Sequence, residues 1–140
     1  MAGKFIALPK GVSEKSFAAA IAEFRRIVGQ DSVLVTAEQL APYIKTMMPV
    51  PDADHTPSAA LLATTVEQIQ KIVGICNTYK VPIWMISTGR NFGYGSAAPS
   101  ERGQVVLDLK RMNRILEVDP DLCFALVEPG ITYKQLYDYI

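Results

Sequence analysis

The sequence has few of the residues that build metal centres and disulfide frameworks. It contains one histidine, His55, and two cysteines, Cys76 and Cys123, without CxxC spacing. This composition argues against a histidine-based metal site. Because both cysteines lie in apolar segments, we expect two buried thiols rather than a disulfide. His55 lies in a polar segment, where we expect it to be exposed or locally hydrogen-bonded and not part of a site.

Excess charge of one sign and long hydrophobic runs are also lacking. The 14 basic and 14 acidic side chains balance, which argues against a nucleic-acid-binding surface. No apolar run approaches the roughly 20 residues that span a bilayer, so we expect no membrane span. Residues 1–9 do not fit a secretory signal. Hydrophobic residues nevertheless make up 49% of the 140 positions, which suffices for the core of one domain.

Residues 1–56 are interpreted as a helical arm and a linker. The main helix is predicted to begin at Ser13 and to end at Gly29. Its apolar face, at helical spacing, consists of Phe17, Ile21, Phe24 and Val28. A short strand at residues 32–35 and a brief helix, which begins at a capping box, are predicted next. The prolines between residues 47 and 57 indicate the linker.

The next segment has the pattern of a βαβ unit. Residues 59–63 predict a buried strand, and a helix with a capping box at Thr65 follows. Its apolar face is predicted to consist of Val66, Ile69, Val73 and Cys76, with Ile72 beside them. Residues 81–86 predict a second strand. Strand, helix and strand of these lengths predict two parallel strands that pair with each other.

Beyond residue 103 the pattern changes to that of an antiparallel hairpin. Residues 104–109 predict a strand, and residues 114–119 and 122–128 predict a hairpin with a tight turn at Pro120 and Asp121. A capping box at Thr132 predicts a final helix. The fold class is therefore α+β, with a parallel βαβ subdomain followed by antiparallel strands.

A glycine loop, residues 87–99, follows the second predicted strand at the sheet edge where ligands bind in open α/β folds. Its glycines at positions 89, 93 and 95 do not open a helix, and no Gly-Lys-Ser/Thr follows, which excludes the Rossmann and P-loop patterns. The loop is either an anion-binding concavity or a turn that only reverses the chain. Tyr94 is either a packing plug or a hydroxyl donor to a ligand.

Four motifs together resemble the vanillyl-alcohol oxidase and p-cresol methylhydroxylase family of flavoproteins. They are STGRNFGYGSAAP at residues 87–99, VLDL at 106–109, MNRILEV at 112–118 and VEPGITY at 127–133. The resemblance extends over essentially the whole chain. It implies a PCMH-type (p-cresol-methylhydroxylase-type) FAD-binding domain, of which residues 57–140 would be the truncated amino-terminal part.

The resemblance also implies FAD as the cofactor and assigns site residues. The loop that wraps the FAD pyrophosphate would consist of Ser87, Thr88, Gly89, Arg90 and Asn91. A second segment against the flavin nucleotide would consist of Glu128, Pro129 and Gly130, although those residues also fit a strand-ending turn. Tyr94 would donate a hydrogen bond to the phenolic oxygen of the substrate.

The implied reaction is the oxidation and hydroxylation of 4-alkylphenols, from p-cresol to 4-hydroxybenzyl alcohol and 4-hydroxybenzaldehyde. It proceeds by hydride transfer to flavin, quinone methide formation and water addition. The implied partners are a cytochrome c subunit, which accepts the electrons, and a second flavoprotein subunit, giving a homodimer within a heterotetramer. The alternatives are an oxygen-using vanillyl-alcohol or eugenol-type oxidase and an inactive nucleotide-binding fragment. We expect further site residues beyond Ile140, weak FAD binding by this piece alone, and either a periplasmic or a cytoplasmic location.

Overall fold

The computed structural model of the chain describes residues 5–46, 48–90 and 96–140. The strands within these ranges are β1 (Val33–Leu34), β2 (Ala59–Leu62), β3 (Ile83–Ile86), β4 (Val105–Asp108), β5 (Ile115–Asp119) and β6 (Phe124–Val127). The α-helices are α1 (Glu14–Val28), α2 (Ala37–Leu40), α3 (Val66–Tyr79) and α4 (Tyr133–Tyr139). None of these helices is long and apolar enough to cross a membrane.

Four strands form a mixed sheet in the order β1-β2-β4-β3, with β1 antiparallel and the other three parallel. The prediction that β2 and β3 pair with each other is wrong, because β4 lies between them and pairs with both. Burial explains the order. All four residues of β4 are buried, as a central strand requires, whereas Met85 of β3 is 64% exposed, which suits an edge strand.

The first predicted helix is confirmed as α1. The Ser13 hydroxyl accepts a hydrogen bond from the Ser16 amide, and Gly29 ends the helix with a φ of 89°. That φ lies in the region that glycine adopts without steric cost. Its buried residues are Phe17, Ala20, Ile21 and Phe24.

The predicted apolar face of α3 is wrong in part. Val66 and Val73 are 55% and 38% exposed, whereas Ile72, Ile75 and Cys76 are buried. The reason is that α3 packs against α1 as well as against the sheet, which turns its isoleucine side inward. Burial also raises the pKa of the Cys76 thiol to about 12.

The core lies on both faces of the four-stranded sheet. Side chains alternate along each strand, so Leu61 and Leu107 face α1 and α3, whereas Ala60 and Val106 face α2. The resulting frame fixes the carboxyl ends of β3 and β4 side by side, because Ile86 pairs with Asp108.

The carboxyl-terminal part is the predicted antiparallel hairpin, β5 paired with β6, followed by α4. The predicted sheet change, and with it the α+β class, is confirmed. The turn is longer than predicted, since residues 120–123 separate the paired Asp119 and Phe124. Cys123 is exposed in this turn with a φ of 55°, so the expectation that it is buried is wrong, while both thiols are free as expected. The predicted capping box between Thr132 and Gln135 is present.

Candidate functional site

A groove lies between the start of the glycine loop and the start of α4. It is a cavity of about 470 Å³, lined by Ser87, Thr88, Arg90, Ile131, Thr132, Tyr133 and Lys134. The loop side follows β3 directly, so the groove lies at the carboxyl edge of the parallel strands, where open α/β sheets bind ligands.

The backbone on the loop side turns at Gly89, where Ala97 fills the space that a side chain would need. Its φ of +71° favours glycine, and a Cβ at this position would lie 2.8 Å from the Ala97 Cβ. A larger residue is therefore excluded both by conformation and by space. The exposed Arg90 and the half-buried Thr88 flank this glycine and both line the groove, so a cationic and a hydroxyl donor lie along its loop side.

The glycine loop and residues 128–130 meet, although they are about 40 positions apart in sequence. The Ser87 hydroxyl donates a hydrogen bond to the Pro129 carbonyl oxygen, across a separation of 42 residues. A serine hydroxyl has one proton to donate. The structure thus brings together the two segments assigned from the resemblance and commits that proton to a backbone carbonyl.

Glu128 faces Arg114 and does not line the described part of the groove. It is 7% exposed, and its carboxylate accepts hydrogen bonds from the Arg114 amide at 2.8 Å, Nε at 3.0 Å and one terminal nitrogen at 2.6 Å. These hydrogen bonds hold the pKa of the Glu128 carboxyl below its usual range, and they raise the pKa of the Arg114 guanidinium.

Gly130 is packed against backbone on the far side of Pro129. Its amide donates to the Met112 carbonyl oxygen at 2.7 Å. A Cβ at Gly130 would lie 2.4 Å from the Leu109 carbonyl oxygen and 2.7 Å from that of Met112. Only glycine fits there, because fixed backbone atoms occupy the space that a side chain would need.

Two of the predicted site residues, Asn91 and Tyr94, lie outside the described residues, so their assignments stay predictions. His55 lies away from the groove, with its Nδ1 2.7 Å from the Pro99 carbonyl oxygen. Within the described ranges, no three histidine, cysteine or acidic side chains come together as metal ligands.

Sequence reasoning missed a buried polar cluster at the end of β4. Asp108 is 2% exposed; its carboxylate accepts a hydrogen bond from the Tyr43 hydroxyl at 2.6 Å and pairs with Lys110 Nζ at 3.1 Å. Burial, with the hydrogen bond to Asp108, raises the pKa of the Tyr43 phenol. An aspartate that closes an apolar strand at a ligand-binding edge was the available signal.

Arg114 was missed as well. Arg114 is the first residue of the predicted hairpin and Glu128 is the last, so both lie at its base. Their opposite charges were the signal for an ion pair there. Arg114 matters because it binds the carboxylate of Glu128, a residue that the resemblance assigned to the cofactor site.

The chain is similar to known flavoproteins over most of its length. Residues 57–140 match the family model described as FAD binding domain. The chain is 63% identical over 133 residues to the 4-cresol dehydrogenase [hydroxylating] flavoprotein subunit of Pseudomonas putida. The aligned region covers 95% of this chain and 26% of that protein.

Solved structures that are similar over nearly the whole chain include two enzymes that act on phenols. A crystal structure of p-cresol methylhydroxylase with substrate bound superposes with a TM-score of 0.93 at 63% identity, over 96% of this chain and 26% of that one. The 4-ethylphenol oxidase of Gulosibacter chungangensis superposes with a TM-score of 0.87 at 39% identity, over 94% and 25%. The chain spans about a quarter of the length of these relatives.

The described residues fit an FAD pyrophosphate in their donor chemistry. A dianionic pyrophosphate needs N–H, O–H and cationic donors, and the groove is lined on its loop side by Thr88 and Arg90. The predicted resemblance to p-cresol methylhydroxylase flavoproteins is confirmed, and so is FAD as the cofactor. The chain belongs to the FAD binding domain family.

Proposed function

We propose that the gene product oxidises 4-alkylphenols, with p-cresol as the first substrate to test, and passes the electrons to a cytochrome c subunit. The observation that carries the proposal is 63% identity over 133 residues to a hydroxylating 4-cresol dehydrogenase subunit. The name of that relative, a flavoprotein subunit, supports a protein partner. A homodimer of flavoprotein subunits within a heterotetramer is part of the same proposal.

This chain would hold the cofactor from two sides. Thr88, Arg90, Asn91 and the backbone of Ser87 and Gly89 would bind the pyrophosphate, since an anion is stabilised by directed donors and a cation. Residues 128–130, which directly precede the residues that line the other side of the groove, would form the second segment against the flavin nucleotide. The cofactor chemistry expected there is the two-electron oxidation of a 4-alkylphenolate to a quinone methide, to which water adds at the benzylic carbon.

Tyr94 is proposed as the catalytic residue on the substrate side. Its hydroxyl would donate a hydrogen bond to the phenolic oxygen and stabilise the phenolate charge, which pushes electron density toward the para carbon. The Tyr94→Phe variant of the complete gene product should lose about 100-fold in kcat for p-cresol. Unchanged kcat and KM would remove Tyr94 from the substrate site.

The cofactor assignment is tested by titrating FAD into the apoprotein of the complete gene product. Arg90→Gln removes a cation from the groove and should weaken FAD affinity by about tenfold, which is a typical loss for one charge-assisted contact. Arg26→Gln, at an exposed arginine in the last turn of α1, is the matched control and should bind FAD as tightly as the wild type. Equal affinity of Arg90→Gln and the wild type would contradict the assignment.

An oxygen-using oxidase is the second candidate, and the likeness to a 4-ethylphenol oxidase at a TM-score of 0.87 favours it. The two functions differ in the electron acceptor. Stoichiometric hydrogen peroxide from p-cresol in air would establish the oxidase. Reduction of cytochrome c without peroxide would establish the dehydrogenase.

A further inference from the structure

The Ser87 hydroxyl makes a hydrogen bond that does not suit a side chain expected to bind phosphate. Its hydroxyl donates to the Pro129 carbonyl oxygen. A hydroxyl has one proton, so while this bond exists the side chain offers a phosphate only lone pairs, which an anion repels. Thr88 and Arg90 line the groove next to Ser87 and carry hydroxyl and guanidinium donors.

The Pro129 carbonyl is held from both neighbouring residues. On one side, the Glu128 amide donates to the Arg114 carbonyl oxygen at 2.9 Å, and the Glu128 carboxylate receives the amide and guanidinium of Arg114. On the other side, the Gly130 amide donates to Met112 at 2.7 Å. Because both neighbours are fixed, the carbonyl that Ser87 reaches has little freedom to turn.

The side chains of Glu128 and Arg114 differ in their exposure to solvent. The Glu128 side chain is 8% exposed, whereas the Arg114 side chain is 73% exposed. A carboxylate with so little access to water needs its hydrogen-bonding partner, and Arg114 supplies it through three nitrogen atoms. Replacing the Arg114 side chain would remove the two guanidinium donors and leave only the backbone amide, which would loosen the Glu128 side chain and the adjoining carbonyl.

We infer that Arg114, Glu128, Pro129 and Ser87 form a latch that positions residues 87–90, the described start of the glycine loop. In this latch Ser87 and Glu128 are positioning residues, and neither side chain contacts the phosphates. The latch rests on the proposed function, since it orders a loop proposed to bind FAD. It assigns a role in cofactor affinity to Arg114, a residue that the resemblance did not place in the cofactor site.

The test is a double-mutant cycle on FAD affinity, measured with the apoprotein of the complete gene product. Ser87→Ala and Arg114→Met should each weaken binding by about tenfold, and because they break one chain of contacts, the double variant should be no weaker than either single variant. Ser87→Thr keeps the hydroxyl and should bind FAD as the wild type does.

The matched control is Arg102→Met. Arg102 is another exposed arginine that holds backbone, with donors to the carbonyl oxygens of Ala53 at 2.6 Å and Ile6 at 3.0 Å. Its loss should lower stability and leave FAD affinity unchanged. If Arg114→Met does not fold, Arg114→Lys, which keeps the cation but not the fork of donors, replaces it and should show a smaller loss.

A second readout needs no cofactor. Hydrogen exchange at the Thr88 and Gly89 amides should be faster in both Ser87→Ala and Arg114→Met apoprotein than in the wild type. Losses of FAD affinity that add in the double variant, or unchanged exchange, would overturn the latch. Unchanged FAD affinity in Ser87→Ala would overturn it too, while the proposed function would still stand if Arg90→Gln weakens binding and would fall if Arg90→Gln does not.

Discussion

Strands β4 and β6 have equal length but opposite environments. All four residues of β4 are buried, whereas three of the four residues of β6 are exposed. Both hydrophobic clusters of the described chain lie between Phe5 and Met112, and residues 113–140 contribute none of their members. The amino-terminal region is therefore stabilised by its own core, and the carboxyl-terminal region is not.

Directional polar contacts join the second region to the first. Gly130 is hydrogen-bonded to Met112, and Ser87 is hydrogen-bonded to Pro129. The groove lies between the two regions. Its shape consequently depends on a few hydrogen bonds, whereas the sheet edge that forms one wall depends on a packed core.

The largest effect is expected from truncating the core. Leu107→Ala in β4 should lower the free energy of unfolding of the 140-residue chain by about 3 kcal/mol, because it leaves a cavity at a residue that is 1% exposed. The matched variant Leu126→Ala in β6, which is 53% exposed, should cost about 0.5 kcal/mol. Urea unfolding measures both. Equal losses of unfolding free energy in the two variants would contradict the claim that only the amino-terminal region has a core of its own.

A somewhat smaller effect is expected at the junction of the regions. Gly130→Ala should destabilise the chain by about 2 kcal/mol, since its Cβ would be forced against the Leu109 carbonyl oxygen. Gly74→Ala in α3 is the control, because nothing lies within 4 Å of a Cβ there. It should stabilise the chain by about 0.5 kcal/mol through helix propensity.

Thermal unfolding of these glycine variants measures whether the close packing at Gly130 contributes to stability. If Gly130→Ala has the melting temperature of the wild type, the close approach of the two segments is not needed for stability. Gly74→Ala shows that the assay resolves an alanine substitution with no steric conflict.

The smallest effect is a pH dependence at the base of the hairpin. The pKa of Glu128 is lowered in the folded chain by Arg114, so its stabilising contribution is present above the unfolded carboxyl pKa of about 4.3 and is lost as the pH falls toward the folded pKa. Below about pH 4.5, the stability of the wild type should therefore fall more steeply than that of Glu128→Gln. Parallel curves from urea unfolding across this range would show that the ion pair does not contribute.

Local signals in the sequence predicted most of the fold. Ser13 and Gly29 bound α1 because capping and a positive φ are properties of single residues and their neighbours. The position of β4 was not predicted, because strand order depends on partners far away in sequence. The face of α3 was not predicted either, since its valines and isoleucines both recur at helical spacing, and packing against α1 selects the isoleucines.

Family motifs drew attention to both segments of the site, but their contact is a result of the fold. No local rule joins Ser87 to Pro129. The Arg114–Glu128 pair likewise depends on the register of a hairpin that contains an irregularity between Ile115 and Glu117. Such pairings follow from tertiary structure, which periodicity and spacing do not contain.

The most direct measurement is a crystal structure of the complete gene product loaded with FAD. We expect the pyrophosphate in the groove, with hydrogen bonds from the backbone of residues 88–90 and from the Arg90 side chain. The Ser87 hydroxyl should still be bonded to the Pro129 carbonyl oxygen. A pyrophosphate bound elsewhere would contradict the assignment of the groove. A pyrophosphate in the groove that accepts the Ser87 proton would contradict the latch alone.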